Sequence, residues 1–587
     1  MNKKSNMNRK SLAYAAILFT IGFLVYMPNL NNGLFWDDND LIVNNIFIKE
    51  FSWDNIKATF NNDQFRTVGS SYYRPLLFIL FTVSYAISGI KPLAYHLTNN
   101  LIHIANGILM FIILDAFIKK RSFAFLVALL FLVHPLQTGT VTYITGIGLS
   151  LAVFLMSLAL VMFLLGDKKW PGKENVRYRS IYKLSSYLLA ILSVLSMEIG
   201  FLFPAYLILF LMTFVYKESF WLALIRSVKK AIPYIVISTT YIIIRIYVLD
   251  LATSSFIQGS FMGALVYFNQ RIYIFLSLIT LYSRLIFVPL GLRNGWAIES
   301  AGPLFYMKAL IGAGITIGVI FMTVKDFART RLWFFSWGCF LLGLTLTSLG
   351  LSPLRALFYE HWLYFSLFGF FILFIFYLDR LRIFMTLKNE ALSNILVIIF
   401  IGWICFIAIL TTQRNILFGD QEKLYKSILK YEPSNGDILT NLGAYYLGKG
   451  MLKEAEELSS RAIRGDTRDA PAYLNMGIYF SKIGDNDKAA EYWKLATKVD
   501  PNYVYPFYNL IGHYLLRDDE MAKYYLKEMD RFSIYDPVQN FNIGQAAFKL
   551  GEKDVAIRYL NKALEYAVAD PMLTKAAGDL LEKIKNE

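Results

Sequence analysis

Charge is what this sequence has little of: Asp, Glu, Lys and Arg make up 17% of its 587 residues, against 56% hydrophobic ones. Soluble domains carry about a quarter charged residues, so the composition excludes a water-soluble chain and makes the lipid bilayer its main solvent. Cysteine is nearly absent. Cys339 and Cys405 both fall inside apolar runs without metal-ligand spacing, which leaves neither a disulfide framework nor a zinc site. Nor does a small-residue cleavage site follow Pro28, although Lys3, Lys4, Arg9 and Lys10 precede an apolar run; the run reads as an uncleaved first span.

What is abundant is apolar sequence in stretches of membrane length. Residues 12–27, 147–165, 232–249 and 394–410 are of the order that a helix needs to cross about 30 Å of hydrocarbon. Up to residue 412 the chain holds 34 Lys and Arg against 17 Asp and Glu; beyond it the numbers are 24 and 26. The basic excess, and the sequence pI of 9.3, therefore belong to short loops between spans, where they set orientation, and not to a nucleic-acid surface. With the N-terminus in the cytoplasm, the basic clusters at 119–121, 168–183, 217–230, 325–331 and 380–388 share that side. This requires that 75–89, too short to cross, lie in the membrane plane. It also requires that 262–290, interrupted by Asn269, Gln270 and Arg271, form partly buried or re-entrant helices. The expectation is an all-α polytopic bundle over 1–412 with about 11 spans, 12 being the alternative. The first loop (28–95) and everything after 413 then share the non-cytoplasmic side. No eukaryotic sorting signal is evident, which points to a prokaryotic inner or plasma membrane.

The C-terminal part repeats. Asn441, Asn475, Asn509 and Asn542 recur at 34, 34 and 33 residues, and Ala455, Ala489, Ala522 and Ala556 at 34, 33 and 34, the period of tetratricopeptide repeats. Four units over 413–587 predict an α-solenoid whose concave face binds a peptide or protein. In it Gly443, Gly477, Gly512 and Gly544 admit close helix approach, and Asp500-Pro501, Asp536-Pro537 and Asp570-Pro571 mark helix ends. Tyr445, Tyr446, Tyr473, Tyr479, Tyr505 and Tyr508 are accounted for mostly by packing.

The first loop opens on Phe35-Trp36-Asp37-Asp38-Asn39-Asp40. Carboxylates at a membrane surface suit base or metal chemistry. Asp37 and Asp38 are the candidates for a catalytic base, and with Asp40 they could hold a divalent cation, the absence of a metal being the expectation. Arg74 could grip a phosphate bidentately. His96, Asn99, Asn100, His103 and Asn106 share a helical face; interhelical bonding is the competing reading, above all for Asn100 and Asn106. His134 and Gln137 end a span, Glu198 lies between two spans, and Glu360-His361 begins another, all expected on one face.

This pattern resembles the transmembrane and tetratricopeptide-repeat O-mannosyltransferase family of the GT-C superfamily. The resemblance is carried by Trp36-Asp37-Asp38, Tyr73-Arg74-Pro75-Leu76, Tyr95-His96-Leu97-Thr98-Asn99 with His103, His134-Pro135-Leu136-Gln137-Thr138, Glu198 with Pro204, and Glu360 through Leu363-Tyr364. It implies transfer of mannose from a polyprenyl-phosphate donor to Ser or Thr hydroxyls of a protein at the lumenal or periplasmic face, the repeats presenting the acceptor. Asp37 and Asp38 would be the base and acceptor-positioning pair, with Arg74, His96 and His134 near the donor phosphate. Where relatives usually show Glu, Arg and Lys, this chain has Gly139, Ile147 and Met197. Arg271 or Arg284 could restore the missing charge, the donor could differ, or activity could be lost. Two other functions stay open: a non-catalytic membrane scaffold built on the repeats, and a transferase directed at a lipid or polysaccharide.

Overall fold

A computed structural model describes residues 2–61, 72–172, 178–248, 268–296, 302–348, 358–515, 517–532, 534, 536–567 and 571–586. The chain is all-α in character and divides into two compact units. One comprises 1–38, 59–64 and 71–419; the other comprises 39–58, 65–70 and 420–587. The boundary before residue 420 is near the change of composition at 412. The first loop is divided differently from the sequence-based expectation, because Asp37 and Asp38 belong to the first unit while Asn39 and Asp40 belong to the second.

The first unit is a bundle of membrane-type helices, and the chain is a multi-pass membrane protein. Among the described residues seven helices are long and apolar enough to cross a bilayer, for instance Leu93–Ile118, Phe220–Val248 and Glu390–Leu417. The bent pair Arg121–Val133 and Pro135–Val141 makes an eighth, and Pro75–Ser88, Ile272–Phe287 and Leu332–Leu344 are shorter apolar helices. This count covers the described residues alone; Arg179–Ser196 and Ser366–Lys388 are two further long helices beside those eight, the second interrupted in its apolar length by Asp379, Arg380 and Arg382. Pro75–Ser88 has 14 residues, which rise about 21 Å at about 1.5 Å each, short of the roughly 30 Å of hydrocarbon. Asn269, Gln270 and Arg271 lie in the first turn of helix Phe268–Phe287; residues 249–267, where the first helix of the expected pair would fall, lie outside the described residues.

Apolar residues on every face bury Ile147–Gly166 almost throughout, and hydroxyls fasten its neighbour to it. Ser193 Oγ donates to the Ala152 carbonyl at 3.0 Å and Ser186 Oγ to that of Ala159 at 2.7 Å, the polar glue of helices packed in lipid. Arg331 is buried with its guanidinium on the carbonyls of Met212 (2.8 Å) and Tyr216 (2.6 Å), where a cation satisfies the carbonyls at a helix C-terminus. A two-residue antiparallel pairing, Gly295 with Tyr359 and Trp296 with Phe358, interrupts the helical rule and fixes the chain just before Glu360.

The second unit stacks helix pairs: Gly436–Lys449 with Leu452–Gly465, Ala470–Lys482 with Asn486–Val499, Val504–Tyr514 with Asp519–Met529, and Pro537–Lys549 with Lys553–Tyr566. Gln421–Leu429 precedes them and Pro571–Asn586 follows. The periodic alanines are all buried. Two of the periodic asparagines tie one repeat to the one before: Asn475 Nδ2 donates to the Thr440 carbonyl at 2.9 Å and Asn542 Nδ2 to the Tyr508 hydroxyl at 2.8 Å. Asp469, Asp485, Asp518 and Asp536 cap helix N-termini by accepting a backbone N–H two residues into the helix. A Cβ on Gly477 would sit 2.3 Å from Trp493 Nε1; on Gly443 and Gly544 it would be less crowded, 3.0 Å from Ser459 Oγ and 2.9 Å from Leu560 Cγ. Gly512 differs: nothing lies within 4 Å of its would-be Cβ, so close approach is not its role. Asp536 caps as expected, Asp500 ends Asn486–Val499, and Asp570 lies outside the described residues.

Candidate functional site

The first loop leaves the helical region at a tight turn in which Trp36 takes φ 53°. Asp38 holds this turn. Its carboxylate accepts from the Phe35 N–H at 3.3 Å and from the Thr145 N–H, 107 residues away, at 3.2 Å, and the residue is fully buried. Burial raises its pKa well above the ordinary carboxylate range; the bond from Phe35 opposes that shift, the charge of Asp37 adds to it, and the bond from Thr145 again opposes it. Asp37, by contrast, is exposed. Its backbone N–H donates to the Tyr143 hydroxyl at 3.3 Å. Protein crowding raises its carboxyl pKa, while a bond from Tyr143 and the charge of Arg74 pull the other way. The outward surface and the upward shift are compatible: the side chain reaches solvent from within a recess.

Arg74 precedes Pro75, whose ring starts the short helix Pro75–Ser88. Its guanidinium is mostly buried and bonded to Glu198, Nη2 to Oε2 at 2.8 Å and Nε to Oε2 at 3.0 Å, and it stacks on Tyr72 at 4.6 Å. Arg245 Nη2 lies 3.8 Å from the same glutamate, so one carboxylate serves two cations. Burial lowers the pKa of Arg74, but the charge of Glu198 and its hydrogen bonds outweigh that and the net shift is upward.

A second cationic group borders the first. Burial and the Arg74 charge together lower His361 to a pKa of about 4, so it is neutral near pH 7. Its neighbour Glu360 is fully buried, paired with Arg414 at 2.6 Å, and accepts from the Arg293 N–H at 2.7 Å and Trp296 Nε1 at 2.8 Å. The Trp296 ring carries Arg293 at 4.1 Å and Arg284 at 5.6 Å. Three guanidiniums thus gather around one buried glutamate and one indole, an arrangement that suits a multiply charged anion. Arg293, Arg414, Trp296, Tyr143 and Arg245 were not singled out from sequence, and only their basic or aromatic character in the membrane half could have pointed to them.

The remaining sequence candidates are distributed as follows. His96 Nε2 meets the Asn32 carbonyl at 3.2 Å, and its Nδ1 has no hydrogen-bond partner among the described residues. Asn99 donates to the carbonyls of Tyr143 (3.3 Å) and Ile144 (3.2 Å), holding the segment that bonds Asp38. His103 has both nitrogens occupied, by Tyr364 Oη at 2.9 Å and the Leu132 carbonyl at 3.2 Å. His134 pairs with the Ile286 carbonyl at 3.0 Å and accepts from the Leu136 N–H, so both histidines serve packing contacts. Gln137 is buried with both amide atoms lacking a partner among the described residues. The Arg271 side chain lies outside the described residues. Asn100 bonds Asn29 and the Tyr26 carbonyl, and Asn106 bonds Tyr364 and the Ser150 carbonyl, interhelical roles without a ligand. A Cβ on Gly139 would stand 2.8 Å from Asn294 Oδ1, the end of a side chain that would have to turn aside, and in ordinary contact with His361 Cβ at 3.6 Å. Ile147 is buried and Met197 half-buried. Among the described residues His, Cys, Asp and Glu do not gather in threes suited to a metal, and Asp40 falls in the other unit from Asp37 and Asp38.

A sequence model of the tetratricopeptide repeat matches residues 470–503 and 540–567. Protein O-mannosyl-transferase TMTC3 of Mus musculus is 23% identical over 550 residues, 86% of this chain and 56% of that protein. TMTC2 of Mus musculus is 34% identical over 147 residues, 24% of this chain and 17% of that protein. The chain thus spans about half the length of the first of these relatives. Among solved structures, ArnT from Cupriavidus metallidurans in the apo state is matched at a TM-score of 0.38 with 13% identity, covering 89% of this chain and 85% of that one. By sequence, then, the chain is a multi-pass membrane protein with tetratricopeptide repeats that is similar along most of its length to protein O-mannosyl-transferase TMTC3.

Proposed function

We propose that the chain is a membrane glycosyltransferase that moves a sugar, mannose by the name its relatives bear, from a polyprenyl-phosphate donor to a Ser or Thr hydroxyl of a protein, on the non-cytoplasmic face. The observation that carries this reading is Asp37: an exposed carboxylate, raised in pKa by its surroundings, beside Arg74 and on a turn locked by Asp38.

In the proposed reaction Asp37 takes the proton of the acceptor hydroxyl. The acceptor oxygen attacks the anomeric carbon from the side opposite the phosphate, so the anomeric configuration inverts. The bond from that carbon to the phosphate oxygen breaks, and the electron pair leaves with the polyprenyl phosphate. The growing negative charge is met by guanidiniums, which keep their charge at any working pH. Arg74 is the cation whose charge acts on the base, and Arg284 and Arg293 on Trp296 supply the cationic character that Ile147 and Met197 do not. Asp38, with its oxygens bound to backbone N–H groups, orients the turn and does not itself accept the proton. The repeats hold the acceptor protein.

The test is turnover of purified full-length chain with undecaprenyl-phosphate mannose and a Ser/Thr peptide. General-base removal typically costs about 10²–10⁴-fold, so Asp37→Asn loses that much rate with its thermal unfolding unchanged. An Asp37→Asn protein with normal turnover would refute the assignment. Transfer to a lipid or glycan acceptor with none to peptides favours the lipid- or polysaccharide-directed alternative.

A further inference from the structure

Far from the candidate site, the first unit has an apolar groove between Arg121–Val133, Ser366–Lys388 and Glu390–Leu417. Its cavity is about 270 Å³, walled by Phe123, Leu126, Ile375, Leu378, Phe400 and Ile404. Lys120, Asp379 and Arg382 stand among its lining residues. Lys120 Nζ pairs with Asp379 Oδ2 at 2.5 Å, and Arg382 Nη2 lies 4.0 Å from Asp379 Oδ1. Two cations, both substantially exposed, therefore share one carboxylate, and the rim has one positive charge in excess. The groove lies at the end of these helices remote from the Glu360–Arg414 pair. Helix Arg121–Val133 begins beside Lys120 and ends at His134, about 20 Å further along at about 1.5 Å per residue.

An apolar slot open between membrane helices, with surplus positive charge at its mouth, matches one chemical class: an acyl chain attached to an anionic headgroup. Soluble anions would have no use for the phenylalanine and isoleucine walls, and a neutral lipid none for the cations. The positive-inside pattern of the sequence puts the basic residues at 119–121 and 380–388, at the ends of their helices, on the cytoplasmic side, where anionic phospholipids attract basic residues. We propose that this groove binds an anionic phospholipid of the bilayer, its acyl chain against Phe123 and Phe400 and its phosphate on Lys120 and Arg382. The inference does not depend on the proposed transferase activity, and it separates this lipid from the polyprenyl-phosphate donor, whose reacting end belongs with Asp37.

Native mass spectrometry of the full-length chain released from nanodiscs of phosphatidylcholine with phosphatidylglycerol reads the occupancy. Wild type retains phosphatidylglycerol in preference to phosphatidylcholine. A surface charge near a membrane changes lipid binding by about fivefold, so Lys120→Gln and Arg382→Gln each weaken retention about fivefold and the double variant about thirtyfold. Arg329→Gln, on an exposed residue elsewhere, changes nothing. Val397→Trp, which fills the groove while keeping both cations, also releases the lipid, and thermal unfolding of each variant checks that it is folded. Equal retention by wild type and the folded double variant overturns the proposal. So does displacement of phosphatidylglycerol by stoichiometric undecaprenyl phosphate, which would make the groove a donor-lipid site.

Discussion

Asp37 and Asp38 are neighbours with the same side chain and opposite situations. Both oxygens of Asp38 are committed to backbone N–H groups, whereas the Asp37 side chain reaches solvent. Because a general base must be deprotonated, and burial raises the Asp37 pKa, rate falls on acidification at a higher pH than an ordinary aspartate would give. Arg74 opposes that rise, so Arg74→Gln moves the acidic limb of the kcat/KM profile further up. An unmoved limb would show that Arg74 does not act on the base. Glu360 offers a stability measurement: Glu360→Gln leaves the buried Arg414 guanidinium without its carboxylate partner, at a cost of about 3–5 kcal/mol, read as a lowered unfolding temperature in detergent. The acidic pair and Arg74 could be picked out from sequence because charged residues are scarce in the membrane half. The pairing of Arg74 with Glu198, 124 residues on, and the collection of Arg284, Arg293 and Arg414 around Trp296 and Glu360 depend on tertiary closure, which no local spacing encodes.

Within single elements, the repeat period was the most legible feature of all, since a stack of identical supersecondary units must repeat its small and bonding residues. The asparagine stripe is an instance: its amides reach back one repeat, to Thr440 from Asn475 and to Tyr508 from Asn542. Gly512 shows the limit of reading by analogy: it stands three residues after Asn509, whereas Gly443, Gly477 and Gly544 stand two after their asparagines, so it lies one place off the period and the close contact is absent. Gly477→Ala pushes a methyl into the Trp493 indole and should destabilise the repeat unit by about 1–3 kcal/mol; Gly512→Ala should not, since its surroundings are open and alanine favours the helix. Chemical denaturation followed by circular dichroism distinguishes them, and equal losses would remove close approach as the explanation. Asn269, Gln270 and Arg271 occupy the first turn of helix Phe268–Phe287, where backbone groups are left unpaired and polar residues are at home.

Across the molecule, buried polar side chains knit together positions that are distant in sequence. Asn32 Nδ2 donates to the Asn415 carbonyl, the Asn415 amide donates to the Val25 carbonyl, and Thr142 donates to Asn415 Oδ1. Asn415→Leu leaves the Thr142 hydroxyl and the Val25 carbonyl unsatisfied, at about 1–3 kcal/mol. Faster amide hydrogen exchange in residues 25–32 is expected as the local sign of that loss. Unchanged protection there would mean the network is not what orders the start of the first loop.

Those three bonds span 383, 390 and 273 residues, and they have a bearing on biosynthesis. A ribosome delivers the acidic turn early, but the partner that anchors the chain just ahead of it emerges only when translation has passed residue 415. Until that last helix enters the membrane the turn is tethered on one side alone, so a growing polypeptide carries its carboxylates on an unfinished turn that reaches its final form only when its membrane half is complete.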